Sequence, residues 1–125
     1  KFNAIKSEIE GKRVVMVDDS IVRGTTTKAI VQILRNTGAK EVHIRVSSPP
    51  YKFPCYYGID TPSADQLMAS TYSIEEIKNI IGADSLEYLS LESLLKTPVG
   101  AKCNFCHACF DGDYPIKISD KYKNI

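Results

Sequence analysis

The sequence lacks both a strong net charge and a long apolar run. Its 125 residues include 16 Lys and Arg against 15 Asp and Glu, which gives a formal net charge of +1. Such a balance provides no electrostatic reason to expect a nucleic acid or a membrane surface as a partner. No apolar stretch approaches the roughly 20 residues of a transmembrane helix, and the first residues do not have the pattern of a signal peptide. We therefore expect a cytoplasmic protein with no nucleic-acid partner and no membrane partner.

Two widespread phosphate-binding motifs are missing as well. Residues 14–28 read VVMVDDSIVRGTTTK and contain one glycine, Gly24. The motif GxxxxGK[ST] needs an earlier glycine, and the motif GxGxxG needs three. Residues 14–28 therefore differ from both the loop of nucleoside triphosphatases and the loop of dinucleotide-binding proteins.

The apolar pattern nevertheless predicts an α/β fold with a parallel sheet and flanking helices. Residues 13–17 form a continuous apolar run, typical of a parallel strand that is buried on both faces. Apolar residues at helical spacing predict a helix over 25–35, and the alternating segment 41–46, EVHIRV, predicts the next strand. Four prolines and a glycine make 47–62 a loop. The remaining pattern predicts helices over 63–69, 73–81 and 91–96, and a short strand within 85–90.

Two serines mark the expected starts of helices. Ser63 and Ser73 are followed three residues later by Gln66 and Glu76. This spacing predicts a capping box at each position, in which the serine and the later side chain satisfy each other's backbone amides.

The segment between the first strand and the first long helix predicts a ligand site. Open α/β sheets bind ligands at the carboxyl ends of their strands, and a helix N-terminus attracts anions. Gly24 allows a tight turn there, and the hydroxyl groups of Thr25, Thr26 and Thr27 add donors for a phosphate. Asp18 and Asp19 repel phosphate, so they suit vicinal ribose hydroxyls or a hydrated magnesium ion instead. The expected ligand therefore carries both a diol and a phosphate.

The cysteines predict a second site. Cys103, Cys106 and Cys109 follow a C-x-x-C-x-x-C spacing, and Cys55 lies far upstream. In a cytosolic chain this clustering favours a metal over disulfides, and four thiolates can bind zinc or an iron–sulfur cluster. The spacing does not choose between these metals, and four reduced, partly buried thiols remain the alternative.

The same motifs resemble a known family. VVMVDDSIVRGTTTK resembles the phosphoribosyl pyrophosphate (PRPP) motif of type I phosphoribosyltransferases. More closely, VDDSIVRGTT, SSPP with YGIDTP, YLSLESLL and CHACFDGDYP resemble the C-terminal part of the amidophosphoribosyltransferases. The resemblance implies that Asp18 and Asp19 contact the ribose hydroxyls and the magnesium of PRPP. It implies that the loop from Ser20 to Thr27, which includes Arg23 and Gly24, surrounds the 5′-phosphate.

The resemblance also implies an activity for the whole enzyme. In this family, ammonia released from glutamine attacks C1 of the ribose as pyrophosphate leaves, which gives 5-phosphoribosylamine and opens de novo purine synthesis. Glutamine would act through an N-terminal domain that this sequence does not contain. Purine nucleotides would be feedback ligands, and the full-length protein would be a homo-oligomer.

For the cysteines, the resemblance points to the branch of the family that carries a [4Fe–4S] cluster. It maps Cys55, Cys106 and Cys109 onto three cluster ligands, with the fourth ligand upstream of this sequence. Cys103 would then be a bystander, or a substitute for the missing ligand.

The sequence begins at Lys1 rather than Met and offers three plausible strands, so we expect a C-terminal fragment. Residues 1–98 would be the C-terminal half of a phosphoribosyltransferase domain, with the PRPP motif at 14–28, and 99–125 a cysteine-rich metal-binding tail. Such a fragment contains no catalytic residue of its own and should be inactive alone. Another phosphoribosyltransferase, a non-catalytic PRPP-sensing regulator and a metal-binding interaction module are the alternatives.

Overall fold

A sheet of three parallel strands forms the centre of residues 4–119, the part of the chain that the computed structural model describes. Strand β1 (Arg13–Asp18) pairs with β2 (Glu41–Val46), which pairs with β3 (Ser85–Tyr88). Because all three strands run in the same direction, their carboxyl ends meet at one edge of the sheet. Asp18 lies opposite Val46, and Val46 lies opposite Tyr88, at that edge.

Six α-helices flank the sheet within residues 4–119, and the helices predicted over 25–35, 73–81 and 91–96 are confirmed at 25–36, 74–81 and 91–95. The helix predicted over 63–69 is wrong, because the chain forms a 3₁₀ turn there and the next α-helix begins only at Met68. A 3₁₀ turn, Ala64–Gln66, precedes the third α-helix. No helix in this part of the chain has the length and hydropathy needed to span a membrane. The helices are α1 (Lys6–Ile9), α2 (Thr25–Asn36), α3 (Met68–Thr71), α4 (Ile74–Ile81), α5 (Leu91–Leu95) and α6 (Ala108–Asp111).

Of the two predicted capping boxes, one is confirmed and one is wrong. Ser73 accepts a hydrogen bond from the backbone N–H of Glu76, and the Glu76 carboxylate accepts one from the backbone N–H of Ser73. Ser63 makes no such bond, because the chain enters a 3₁₀ turn instead of an α-helix. The Gln66 side chain instead accepts a hydrogen bond from the Arg23 guanidinium at 2.7 Å.

The hydrophobic core lies on one face of the sheet. Alternate residues of β2, Val42, Ile44 and Val46, are buried there against α2 and α4. The prediction that β1 is buried on both faces is wrong, since Val15 is 60% exposed and Val17 is 72% exposed. Both side chains are therefore largely open to solvent on the other face of the sheet.

Candidate phosphate site and cysteine cavity

A cavity of about 460 Å³ opens at the carboxyl end of β1, where the chain turns into α2. It lies at the sheet edge where open α/β proteins bind ligands. The turn places every residue that the sequence predicted for substrate binding around this one cavity. They are Asp18, Asp19, Ser20, Arg23, Gly24, Thr25, Thr26 and Thr27.

The N-terminus of α2 can bind an anion at this position. Gly24 is the N-cap residue, and no side chain within the described residues caps the helix. The first helical hydrogen bond runs from Lys28 N–H to Gly24 O at 2.9 Å. Backbone amides before Lys28 are therefore the free donors of the first turn. Thr25 and Thr26 are exposed beside them, whereas Thr27 is 3% exposed and anchors the turn in the core.

Gly24 is required by the shape of this turn. Its φ of 72° lies in the left-handed region of the backbone, which residues other than glycine rarely adopt. A Cβ atom at this position would lie 2.1 Å from Met68 Sδ. The Met68 backbone N–H also donates to Val22 O at 2.9 Å. The start of α3 therefore supports the turn directly from behind.

The two aspartates face the same cavity because the backbone turns between them. Asp19 N–H donates to Asp18 Oδ1 at 3.0 Å, and Ser20 N–H donates to Asp19 Oδ1 at 2.9 Å. Burial, the largest influence, raises the pKa of the Asp18 carboxyl. Within residues 4–119, the Oδ2 atom of each aspartate accepts no hydrogen bond. One oxygen of each carboxylate thus fixes the turn, and the other can accept a bond from a ligand.

Arg23 and three further residues complete the walls of the cavity. The Arg23 guanidinium lines it while donating to Gln66 Oε1. Asp60, Thr61 and Pro62, from the loop after β2, also line it. In the sequence, this YGIDTP segment contributes to the family resemblance but does not predict a binding role. The proline-rich composition of 47–62 predicts a loop, but it does not predict which site the loop reaches.

A second cavity, of about 280 Å³, lies between the loop after β2 and the C-terminal segment. Three of the four cysteines, Cys55, Cys106 and Cys109, line it, whereas the exposed Cys103 does not. Within residues 4–119, no three His, Cys, Asp or Glu side chains are close enough to bind one metal ion. The other lining residues are apolar or aromatic: Tyr51, Tyr57, Ile59, Ala108 and Tyr114.

Cys55 and Cys109 are half-buried, whereas Cys106 is exposed. Burial is the main cause that raises the pKa of the Cys109 thiol. Burial likewise raises the pKa of Tyr51 to about 12, and negative charge on Cys109 and Cys55 adds to this shift. His107 Nδ1 is bonded to Asp111 Oδ2 at 2.8 Å, so this imidazole already has a partner outside the cavity lining.

Comparison with known proteins identifies the family. Residues 3–57 match the phosphoribosyl transferase domain family. Over 119 residues the chain is 56% identical to the amidophosphoribosyltransferase of Methanothermobacter thermautotrophicus, covering 94% of this chain and 25% of that protein. The Bacillus subtilis amidophosphoribosyltransferase is 55% identical over 123 residues, covering 94% of this chain and 26% of its own length. This chain belongs to the amidophosphoribosyltransferase family.

The fold agrees with this assignment. The solved B. subtilis glutamine PRPP amidotransferase, complexed with ADP and GMP, superposes with a TM-score of 0.85 at 53% identity, covering 94% of this chain and 27% of that chain. The predicted fold class, a partial type I phosphoribosyltransferase fold with a parallel sheet and flanking helices, is confirmed. The chain spans about a quarter of the length of the curated amidophosphoribosyltransferases it matches.

Proposed function

We propose that this chain supplies the 5′-phosphate and ribose part of the PRPP site in an amidophosphoribosyltransferase. The enzyme would transfer glutamine-derived ammonia to PRPP, giving 5-phosphoribosylamine and pyrophosphate. One observation carries the proposal: a single cavity combines an uncapped helix N-terminus with a turned pair of aspartates. Anions bind at the first of these features and are repelled by the second, so the ligand must present a phosphate to one side and hydroxyls to the other.

Seven residues of the cavity then have roles that their positions support. The first-turn amides of α2 and the hydroxyls of Thr25 and Thr26 donate to the 5′-phosphate. The free Oδ2 atoms of Asp18 and Asp19 would accept from the ribose hydroxyls, and the two carboxylates would hold magnesium, which prefers carboxylate oxygens. When bound, the ion would neutralise charge on the departing pyrophosphate. Ser20, Arg23 and Gly24 shape the loop around the phosphate.

The chain's contribution to the reaction is positioning. In the family the transition state is cationic at the ribose, so fixing the ribose and placing carboxylates beside it supplies electrostatic stabilisation. No residue of this chain is proposed as a nucleophile or a general base. Ammonia would come from a glutamine-hydrolysing domain outside residues 1–125.

The same cavity could take a purine nucleotide as a feedback ligand. A nucleoside monophosphate shares the 5′-phosphate and the ribose diol with PRPP, and the B. subtilis neighbour is complexed with ADP and GMP.

We further propose a cytoplasmic homo-oligomer for the full-length protein. The division at residue 98 into a phosphoribosyltransferase part and a cysteine-rich tail remains a proposal as well.

For the cysteine cavity we propose a [4Fe–4S] cluster held by Cys55, Cys106 and Cys109. The three thiols line one cavity, and thiolates bind iron–sulfur clusters as well as zinc. The preference for a cluster over one zinc ion rests on the family resemblance of the cysteine motif. The cluster would tie the loop after β2 to the C-terminal segment. Cys103 lies outside the lining, so it would have to move to serve as the fourth ligand.

Metal analysis of the full-length protein purified without oxygen tests this cluster. We expect about four iron and four sulfide per chain, with visible absorption typical of such clusters. Cys55→Ser should remove the iron, whereas the matched variant Cys103→Ser should retain it. Stoichiometric zinc without a visible band, or equal iron loss in the two variants, would contradict the proposal.

Removing the hydroxyls of Thr25 and Thr26 tests the phosphate role. In the full-length enzyme, Thr25→Ala with Thr26→Ala should raise the KM for PRPP about fivefold for each lost hydrogen bond. The control Thr37→Ala removes a hydroxyl that bonds Ile33 O at the other end of α2 and should leave KM unchanged. An unchanged KM in the double variant would show that these hydroxyls do not hold the phosphate.

A further inference from the structure

The loop from residue 47 to residue 62 lies between the two cavities. It contains no helix or strand, and its residues reach both sites. Cys55 lines the cysteine cavity, and Thr61 lines the phosphate cavity. Because a segment without regular structure is fixed by few hydrogen bonds, each of those bonds matters for the shape of both walls.

One of these bonds joins the two cavities directly. The Cys55 backbone N–H donates to Thr61 Oγ1 at 2.9 Å, and both residues are half-buried. A threonine that lines one site therefore uses its hydroxyl to hold the backbone of a cysteine that lines the other. A side-chain bond of this kind, across six positions of a loop, closes the segment from 55 to 61 into a compact turn.

The other end of the loop is bonded to the C-terminal segment. The backbone N–H groups of Lys52 and Phe53 both donate to Cys109 O at 3.0 Å. The Tyr114 hydroxyl donates to Pro54 O at 2.6 Å. Cys55 is thus held on one side by the segment that carries Cys109 and on the other side by Thr61. A displacement of Cys55 must move one of these two attachments.

We propose that Thr61 is a positioning residue that couples the cysteine cavity to the phosphate cavity. Its hydroxyl, by holding the Cys55 backbone, keeps the 60–62 wall in the position that closes on the phosphoribosyl ligand. This inference rests on the proposed PRPP site. Since coupling between two sites is reciprocal, binding of PRPP must also favour the arrangement in which the Cys55 N–H donates to Thr61 Oγ1.

The first measurement uses the wild-type full-length protein. The alkylation rate of Cys55 by iodoacetamide, followed by peptide mass spectrometry, reports how often its thiol becomes free. Saturating PRPP should slow this rate. If PRPP binds and the rate is unchanged, the coupling is refuted whatever the variants do.

The second measurement compares Thr61→Val with Thr61→Ser. Valine keeps the size of threonine and removes the acceptor, whereas serine keeps the acceptor. Thr61→Val should raise the Kd for PRPP about two- to tenfold, speed the alkylation of Cys55, and abolish the protection of Cys55 by PRPP. Thr61→Ser should restore all three properties, and the control Thr37→Val should leave them at the wild-type level.

The outcomes separate the two proposals. Weaker PRPP binding in Thr61→Val with full protection of Cys55 would make Thr61 only a pocket wall and overturn the coupling. Wild-type behaviour of Thr61→Val in both measurements would overturn it as well. If the wild-type protein does not bind PRPP, the proposed function itself fails and the coupling fails with it.

Discussion

Full-length protein that carries Asp18→Asn together with Asp19→Asn is expected to lose ammonia transfer to PRPP, by on the order of a hundredfold or more. The amide keeps the size of the carboxylate and removes its charge. Asn oxygens can still accept the backbone N–H bonds that Asp18 Oδ1 and Asp19 Oδ1 accept now, so the turn should survive. What is lost is the attraction for magnesium and for positive charge at the ribose.

The measurement is phosphoribosylamine formation beside glutamine hydrolysis in the same preparation. Hydrolysis should remain measurable, because it takes place outside this chain in the proposed enzyme. Asp65→Asn is the matched control, since Asp65 is exposed and does not line the cavity. Normal transfer by the double variant would remove the role assigned to the acidic pair.

Gly24→Ala is the second substitution with a large expected effect. Alanine at this position would place a Cβ on a backbone in the left-handed conformation, which costs about 1–2 kcal/mol. It would also lie 2.1 Å from Met68 Sδ, so either α3 or the phosphate loop must move. We expect the free energy of unfolding to fall by more than the strain alone, and PRPP binding to weaken strongly.

The chain provides a matched control for this prediction. Gly11 has the same φ of 72°, but no described atom lies within 4 Å of a Cβ built there. Gly11→Ala therefore measures the backbone strain alone, and the difference between the variants measures the overlap with Met68. Denaturant unfolding and PRPP titration give both quantities. Equal destabilisation by the two variants, with PRPP binding intact in each, would show that Met68 does not constrain the loop.

Features that are local in the sequence could be predicted. The strand, the acidic pair, Gly24 and the threonines all lie within residues 13–28, so the strand–turn–helix pattern alone places them around one cavity. The Ser73 capping box is predictable for the same reason, because both partners belong to one helical turn. Periodicity also identified the second and third strands within about two residues.

Features that depend on distant contacts could not be predicted. Asp60 to Pro62 reach the phosphate cavity only because the loop after β2 folds back across the sheet edge. The Ser63 capping box is absent because the chain enters a 3₁₀ turn, and the Gln66 side chain accepts instead from Arg23, which is 43 positions away. The exposure of Val15 and Val17 depends on what packs against the sheet, and an apolar run cannot show that.

The cysteines illustrate the same limit. Their spacing predicts that they gather, but it treats Cys103 and Cys106 as equivalent members of one repeat. The structure separates them, since Cys106 lines the cavity together with Cys55 and Cys109 whereas Cys103 does not, although both Cys103 and Cys106 are exposed. Hydrogen bonds from the backbone N–H groups of Lys52 and Phe53 to Cys109 O hold the segments of Cys55 and Cys109 together, and the cysteine spacing cannot predict them.

The bond between Cys55 N–H and Thr61 Oγ1 also bears on how this segment can evolve. An inserted or deleted residue between positions 55 and 61 would shift the hydroxyl away from its donor and displace two cavity walls at once. We therefore expect insertions and deletions between positions 55 and 61 to be selected against. Insertions and deletions should be tolerated instead near Val99, which is 93% exposed and borders neither the phosphate cavity nor the cysteine cavity. Because this short segment forms walls of two cavities, its length is expected to stay constant among related sequences.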